Sequence, residues 1–193
     1  MARLPVDAVV AVVALLAGYL VGSIPVSQYV ARSAGVDVLR DGERNPGSAN
    51  VWKLAGPGWG FLALMGDIAK GVLPVAIGTV TWSWGAGWLA GVGALVGACW
   101  PLFGRLRGGR GVAVFAGAAV ALSPAAGILG LLLALAVVLV AKALRRNGRV
   151  AAIAVGVGTY PFLFLAAEAD PYRLVALLVL YLVAVVRFAT TRS

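Results

Sequence analysis

A short basic segment, residues 103–111, has the residue types best suited to chemistry in this sequence. It carries three arginines and four glycines between two long apolar runs. The guanidinium group is a planar fork of donors that suits phosphate oxygens, and glycine lets backbone N–H groups approach an anion closely. The segment could instead be a charge cluster that only sets membrane topology, but such a signal needs no glycines, so the Gly108-Gly109 pair favours an anion site. We therefore predict a phosphate-binding loop at a membrane surface.

The composition of the 193-residue chain, which is 62% hydrophobic, excludes an ordinary soluble fold, since typical globular domains are about 45–50% apolar. The absence of histidine excludes imidazole bases, and the single cysteine, Cys99, excludes an internal disulfide. Seven scattered acidic residues are too few for a convincing metal cage, so we predict no metal site. The net charge of +9 does not indicate nucleic-acid binding, because the basic residues are divided among the apolar runs. They fit loops anchored against a bilayer of anionic lipid.

Apolar runs that could cross a bilayer recur along the chain. A bilayer core about 30 Å thick needs about 20 helical residues. The runs cover 6–30, 56–80, 85–103, 112–122, 125–141, 150–167 and 173–189. The run 112–122 is short, and Ser123-Pro124 separates it from the next run, because proline disfavours helix at and before its own position.

Charge decides whether 112–141 is one kinked span or two. With two spans, and seven in all, thirteen Lys and Arg residues fall on one side of the membrane and two on the other. One kinked span would place the Arg105 and Arg145 clusters on opposite faces, which the positive-inside rule disfavours. We predict an all-α integral membrane protein of about seven transmembrane helices, one of them short, with the N-terminus outside and the C-terminus cytoplasmic.

The predicted organisation is a single polytopic membrane domain, 1–193, in the cell inner (plasma) membrane, with its active face cytoplasmic. The first span is expected to be retained, because no small-residue cleavage pattern follows it. Cytoplasmic loops are predicted at 32–52 and 104–111.

Two further groups of polar residues could belong to a site. The Asn-Pro-Gly-Ser sequence at 45–48 favours a specific turn in the long loop, where Asn45 and Asn50 supply amide groups. Asp67 and Lys70 lie three residues apart, on one face of the second predicted span. They form either a structural ion pair or part of a polar ligand cavity, since charges inside a span usually face a bundle interior.

Together these segments resemble the bacterial acyl-phosphate-dependent glycerol-3-phosphate acyltransferases, small polytopic membrane enzymes that make lysophosphatidic acid. The resemblance runs from about residue 18 to about residue 187, over four motifs in the family's order. These motifs are Gly22-Ser23-Ile24-Pro25, the loop 42–53 (family pattern G-S-G-N-x-G-A-T-N-x-x-R), Asp67-Ile68-Ala69-Lys70-Gly71, and the block 97–114. The resemblance implies acyl transfer from acyl phosphate to the sn-1 hydroxyl of glycerol 3-phosphate, seven spans and no cofactor.

The resemblance also implies which residues form the site. The catalytic residues would be Glu43, Asn45, Asn50 and Lys53. The substrate phosphates would be bound by Arg107, Gly108, Gly109, Arg110, Lys70 and Gly47. The small-molecule substrates would be acyl phosphate and glycerol 3-phosphate, and the acyl tail would lie among the spans or in adjoining lipid.

Several motif positions depart from the family pattern. Glu43 replaces Ser, Arg44 replaces Gly, Ala49 replaces Thr, Lys53 replaces Arg, Ala98 replaces His, and Arg107 and Arg110 replace Lys. The family's C-terminal block meets only Arg187-Phe188, without its His and Asn. The carboxylate at Glu43 would repel a phosphate by about 1 kcal/mol in water, and by more in a partly buried site, unless Arg44 or Arg40 neutralises it.

Three functions remain open from the sequence. The first is the acyltransferase activity itself. The second is a catalytically altered paralogue that binds a phosphate-bearing lipid precursor or regulates a partner, which Glu43 and the missing tail residues motivate. The third is a small-molecule transporter, although such proteins usually bind near the bilayer midplane on repeated halves, and no repeat is visible in this sequence.

Overall fold

The computed structural model of the chain describes residues 8–104 and 106–143, together with five helical residues further on: Val179, Leu182, Val183, Val186 and Arg187. Within this part every regular element is an α-helix. The helices are α1 (Ala8–Gly22), α2 (Val26–Ser33), α3 (Ser48–Ala55), α4 (Pro57–Thr81), α5 (Trp84–Cys99), α6 (Val112–Leu122) and α7 (Pro124–Ala143). The spans predicted at 150–167 and 173–189 fall outside the described residues, apart from those five.

The first apolar run, predicted at 6–30 as a single span, is interrupted at residues 23–25. Helix α1 ends at Gly22 and α2 begins directly after Pro25. The interruption follows from the proline, which disfavours helical backbone at the residue before it. The whole stretch Ala8–Ser33 is still long and apolar enough to cross a membrane, as is Pro57–Thr81, and these are the two such stretches in the described part of the chain.

Helix boundaries change two sequence-based limits and agree with a third. The long loop predicted at 32–52 is non-helical only over residues 34–47, because α3 begins at Ser48. The third run ends at Cys99 instead of residue 103, so the arginine-glycine segment belongs to a longer connection, residues 100–111. The short fourth element is confirmed as the 11-residue helix α6, and Ser123 separates it from α7, which begins at Pro124.

Small residues let α1 and α5 pack closely. Gly18 and Gly22 of α1 face the backbone of α5, and Gly93 and Gly97 of α5 face the backbone of α1. A Cβ atom at any of the four positions would overlap the facing backbone. Such small residues let two helices approach closely, and here they place the C-terminal ends of α1 and α5 side by side.

The main core lies between α4, α5, α6 and α7. It comprises Val75, Leu95, Cys99, Phe115, Ala118, Ala119, Leu122 and Ala126. Large apolar side chains such as Val9, Phe61, Ile77 and Leu132 remain exposed on the outer faces of α1, α4 and α7. An apolar exterior of this kind suits a hydrocarbon environment, where exposed leucine and phenylalanine cost nothing.

Candidate active site

A cavity of about 390 Å³, called the first cavity below, lies where the break after α1, the loop before α3, the middle of α4 and the start of α6 meet. Its charged and amide-bearing residues are Gln28, Glu43, Asn45, Asp67, Lys70 and Arg110. Backbone of Gly47, Gly108, Gly109 and Gly111 completes the polar part of its wall. The rest of the wall includes apolar residues such as Ile24 and Leu131, so polar and apolar surfaces meet in one space.

Asp67 and Lys70 form a buried ion pair on α4 that also lines the first cavity. Lys70 Nζ lies 2.9 Å from Asp67 Oδ1 and donates to the carbonyl oxygen of Ile24 at 3.0 Å. Ser27 Oγ donates to Asp67 Oδ2 at 2.7 Å. The sequence left open whether the two residues form a structural ion pair or line a polar cavity, and they do both. The pair ties α4 to the break between α1 and α2, and it faces the cavity. An ammonium has three donors and these two contacts use two, which leaves one for a ligand.

The opposite part of the wall is the backbone of residues 108–111 and the first turn of α6. Gly111 is the N-cap residue of α6, with φ of 72°, a conformation that glycine adopts without strain, and no side chain caps the helix. The first N–H groups of a helix have no intrahelical acceptors and carry partial positive charge. This wall therefore offers N–H donors and the Arg110 guanidinium to an anion.

Arg187 binds the carbonyl side of the same glycines. Its Nε donates to the carbonyl oxygen of Gly109 at 3.2 Å, and its Nη2 donates to that of Gly108 at 2.9 Å. The guanidinium carbon lies 5.2 Å from the centroid of the Trp100 ring, a distance typical of a cation–π contact. By holding two consecutive carbonyl groups, Arg187 constrains the orientation of the glycine peptides that line the cavity.

Asn50 organises the long loop from inside it. The residue is 1% exposed, and its Nδ2 lies at 3.1–3.2 Å from the carbonyl oxygens of Val38, Asp41 and Asn45. Its Oδ1 accepts from the backbone N–H of Glu43 at 3.1 Å. These contacts join residues from one end of the loop to the other, so Asn50 positions the residues around it.

Replacing Asn50 with aspartate should loosen this loop. The change keeps the shape and the acceptor for Glu43 N–H but turns the amide donor into an acceptor that faces three carbonyl oxygens. Leaving several buried polar groups unsatisfied costs about 1–3 kcal/mol each, so we expect trypsin to cleave the loop at least about tenfold faster. The matched control is Asn45→Asp, at a residue whose side-chain oxygen has no hydrogen-bond partner within the described part of the chain, and it should leave the cleavage rate near that of the wild type. Equal cleavage of the two variants would contradict the assigned role of Asn50.

Glu43 is paired with Lys53 of α3. The sequence suggested Arg44 or Arg40 as its neutralising partner, but Arg40 pairs with Asp37. The partner differs from the expected one because α3 begins at Ser48, and this helix brings Lys53 close to Glu43. The carboxylate that lines the first cavity is thus held beside a cation.

The long loop before α3 and the glycine loop before α6 lie together in the structure. A Cβ atom on Gly109 would stand 3.6 Å from Asn45 Oδ1 and 3.7 Å from the backbone of Gly47, which is ordinary contact distance. Asn45 Oδ1 is buried and has no hydrogen-bond partner among the described residues. A polar atom in that condition, at the edge of a cavity, is suited to a ligand donor.

The structure divides the residues expected in the site into two groups. Those that line the first cavity are Glu43, Asn45, Gly47, Lys70, Gly108, Gly109 and Arg110. Asn50 and Lys53 lie behind its wall and contact residues that form it. Arg107 lines a different cavity from Arg110, so its expected part in binding the substrate phosphate stays a prediction.

Three residues of the site were not singled out from the sequence. Ser27 and Gln28 line the first cavity from α2, and Arg187 holds its glycine loop. Ser27 and Gln28 are polar residues inside an apolar run, which was an available signal. Arg187 had been noted only as the remainder of a C-terminal motif.

The family model for glycerol-3-phosphate acyltransferase matches residues 12–192. The chain belongs to the glycerol-3-phosphate acyltransferase family. Among relatives in this family, the glycerol-3-phosphate acyltransferase of Rubrobacter xylanophilus is 46% identical over 121 residues, which cover 61% of this chain and 59% of that protein. The match therefore spans about three-fifths of that relative's length.

Other members of the glycerol-3-phosphate acyltransferase family match over more of the chain. That of Pseudomonas syringae pv. tomato is 36% identical over 175 residues, covering 88% of this chain and 85% of its own. The crystal structure of PlsY (YgiH), an integral membrane glycerol 3-phosphate acyltransferase, in its glycerol 3-phosphate form, superposes with a TM-score of 0.82 at 25% identity. That superposition covers 93% of this chain and 88% of PlsY. Its lysophosphatidic acid form gives a TM-score of 0.80 at 26% identity, with 92% and 87% covered.

Three positions at which the chain departs from the family motifs lie in or beside the first cavity. Glu43 and Ala98 replace the serine and histidine of the family pattern, and both line the first cavity. Lys53, which replaces an arginine, is the residue that pairs with Glu43. The new carboxylate is therefore paired with the cation at position 53, whose charge is the same as that of the arginine it replaces.

Proposed function

We propose that this protein transfers a fatty acyl group from acyl phosphate to glycerol 3-phosphate and so forms lysophosphatidic acid for phospholipid synthesis. The observation that carries the proposal is the first cavity, in which the glycine loop, Arg110, Lys70 and the Asn45–Gly47 turn surround one space. Both substrates bear phosphate, and this space joins cations and N–H donors to an apolar wall. Its volume of about 390 Å³ is within the range of small-molecule sites, about 300–1,000 Å³.

The reaction needs little from the protein beyond positioning and charge. The sn-1 hydroxyl oxygen attacks the acyl carbon, a new ester C–O bond forms, and the C–O bond to phosphate breaks. Inorganic phosphate leaves, and its basic oxygens can take the hydroxyl proton. The chain has no imidazole to act as a general base. The developing negative charge of the transition state is stabilised by Arg110, Lys70 and the first N–H groups of α6.

The residues behind the wall have positioning roles in this proposal. Asn50 holds the loop that carries Asn45, and Lys53 offsets the charge of Glu43 so that a phosphate dianion can approach. Arg187 fixes the peptide groups of the glycine loop. Effective orientation of two reactants can supply several kcal/mol of the barrier reduction, which gives such supporting residues a direct effect on rate.

We also propose the membrane arrangement that this activity requires. The chain crosses the cell inner (plasma) membrane about seven times, with the N-terminus outside and the C-terminus cytoplasmic. The loop 34–47 and the connection 100–111 then lie together at the cytoplasmic face, where both water-soluble glycerol 3-phosphate and the phosphate of a lipid-borne donor are accessible. The excess of basic residues assigned to that side supports the orientation.

A second candidate function follows from the position of the two motif departures. Glu43 and Ala98 line the first cavity in place of a hydroxyl and an imidazole, so the cavity could bind a phosphate-bearing lipid precursor without transferring its acyl group. The assay below separates the two functions, since only the first releases lysophosphatidic acid and phosphate.

The test is acyl transfer by the purified protein in proteoliposomes supplied with acyl phosphate and glycerol 3-phosphate. We expect lysophosphatidic acid and inorganic phosphate in equal amounts. Arg110→Gln should lower kcat/KM by about 100-fold, because losing one preorganised donor in a site of this kind costs about 10²–10³ in rate. Arg44→Gln, the same change at an exposed arginine outside the cavity, should leave it within about twofold. Glycerol 3-phosphate binding without product would support the second candidate and contradict the first.

A further inference from the structure

A second cavity, of about 640 Å³, lies beside the first, and its wall is rich in arginine. Arg32 of α2, Arg40 of the long loop and Arg107 of the connection 100–111 all line it. Helix α2, the loop that follows it and the distant connection 100–111 therefore each bring one arginine to a single space.

The charge of the second cavity is strongly unbalanced. Asp37 is the one carboxylate among its lining residues, against three guanidinium groups. Its Oδ2 lies 3.5 Å from Arg40 Nε, while its Oδ1 accepts from the backbone N–H of Leu39 at 3.0 Å. Asp37 is thus occupied in the turn of the loop, and a net charge of about two positive units remains to attract an anion.

Arg107 reaches this space because the backbone turns between Leu106 and Gly108. Leu106 has φ of 61°, in the left-handed region that leucine rarely adopts. The consequence is that Arg107 and Arg110, three residues apart, line different cavities. The arginine-glycine segment therefore serves two separate spaces, of which the proposed reaction uses one.

An apolar edge adjoins the arginines. Phe103 lines the second cavity and is 57% exposed, and its neighbours Leu102 and Leu106 are 55% and 60% exposed. In an aqueous loop three such side chains would be costly, whereas at a bilayer surface they enter the acyl region while the arginines remain at the headgroup level. Planar guanidinium forks bind phosphate oxygens in two directions at once, so the combination matches a phosphate headgroup with an attached acyl chain.

We propose that the second cavity binds the headgroup of an anionic phospholipid, of the phosphate-monoester type, whose acyl chains lie against Phe103, Leu102 and Leu106. The site is separate from the place of acyl transfer. Gln28 is the residue that lines both cavities, and it is 7% exposed, so it forms a common wall between them. Lipid bound on one side of this wall braces α2, which also carries Ser27 of the first cavity.

The test measures retention of lipid by the full-length protein in detergent micelles that contain either phosphatidate or phosphatidylcholine, followed by native mass spectrometry. We expect selective retention of phosphatidate by the wild type and an approximately tenfold loss in Arg107→Gln, which removes a charge-assisted contact. The matched control is Arg44→Gln, at an exposed arginine that lines neither cavity, and it should retain phosphatidate as the wild type does. Arg40→Gln provides a second variant should Arg107→Gln not fold.

Other outcomes would overturn the proposal. Equal retention of phosphatidylcholine, or an equal loss in Arg44→Gln, would show only general attraction between a basic protein and lipid. Loss in Arg110→Gln but not in Arg107→Gln would place the lipid in the first cavity. Displacement of phosphatidate by equimolar inorganic phosphate, or no effect of Phe103→Ser on retention, would show a small-anion site with no acyl contact. Folding of each variant is checked by thiol labelling, because Cys99 is the only cysteine and is 0% exposed.

Discussion

Replacing Lys70 with methionine should destabilise the protein by about 3–5 kcal/mol, because the change leaves the Asp67 carboxylate buried without its cation. It also removes the bond to the carbonyl oxygen of Ile24 that holds the break between α1 and α2. For a chain of this length such a loss corresponds to a fall of about 10 °C in the melting midpoint. The rate of reaction between a fluorogenic maleimide and Cys99, measured as temperature rises, reports this midpoint.

Two variants make this expectation specific. Lys53→Met removes the other lysine of the site from an ion pair that is 39% exposed on the lysine side, and should cost only about 0–1 kcal/mol. The double variant Asp67→Leu/Lys70→Met removes the stranded carboxylate, so it should be more stable than Lys70→Met alone. If the double variant melts no higher than the single one, the ion pair is not the source of the loss.

Gly108→Ala should nearly abolish the acyl transfer proposed for this site. A Cβ atom at position 108 would overlap the carbonyl oxygens of Ala98 and Cys99, and both are backbone atoms that cannot rotate away. The glycine loop must then move, and a displacement of about 1 Å in a positioned site can cost about 100-fold in rate. We expect kcat/KM to fall by about that factor in the proteoliposome assay.

The control is another glycine-to-alanine change in the same chain. Gly58 lies at the start of α4 with open space around its Cβ position, so Gly58→Ala should leave both activity and melting midpoint close to those of the wild type. Gly109→Ala meets only ordinary contacts and should fold as the wild type does, which separates a steric effect at 108 from a general need for flexibility. Normal turnover by Gly108→Ala would mean that the loop is not fixed against α5 as the structure describes.

Much of the architecture was predictable because it depends on local physics. The length and polarity of the runs indicated α4 and α7 to within two residues, and proline after Ser123 indicated the end of α6. The i,i+3 spacing of Asp67 and Lys70 indicated a shared helix face. The convergence of the two loops followed from placing both on the same side of the membrane.

The rest depended on backbone turns and on contacts between distant residues. Arg107 and Arg110 looked like one clamp, but the left-handed backbone at Leu106 sends them to different cavities. The partner of Glu43 could not be chosen without knowing that α3 begins at Ser48 and brings Lys53 within reach. Pro25 signalled the break at residues 23–25. That the carbonyl oxygen of Ile24 in this break accepts from Lys70 could be known only from the packing of α4 against it.

The hydrogen bonds from Arg187 to the glycine loop have a consequence for biosynthesis. The arginine is separated from Gly108 by 79 positions and from Gly109 by 78, and it is among the last described residues of the chain. A nascent polypeptide that has emerged only as far as α7 has every other element of the first cavity, but its glycine turn is still unsecured. The wall of the first cavity is therefore completed only after α1 to α7 have been made, when Arg187 reaches the carbonyl oxygens of Gly108 and Gly109.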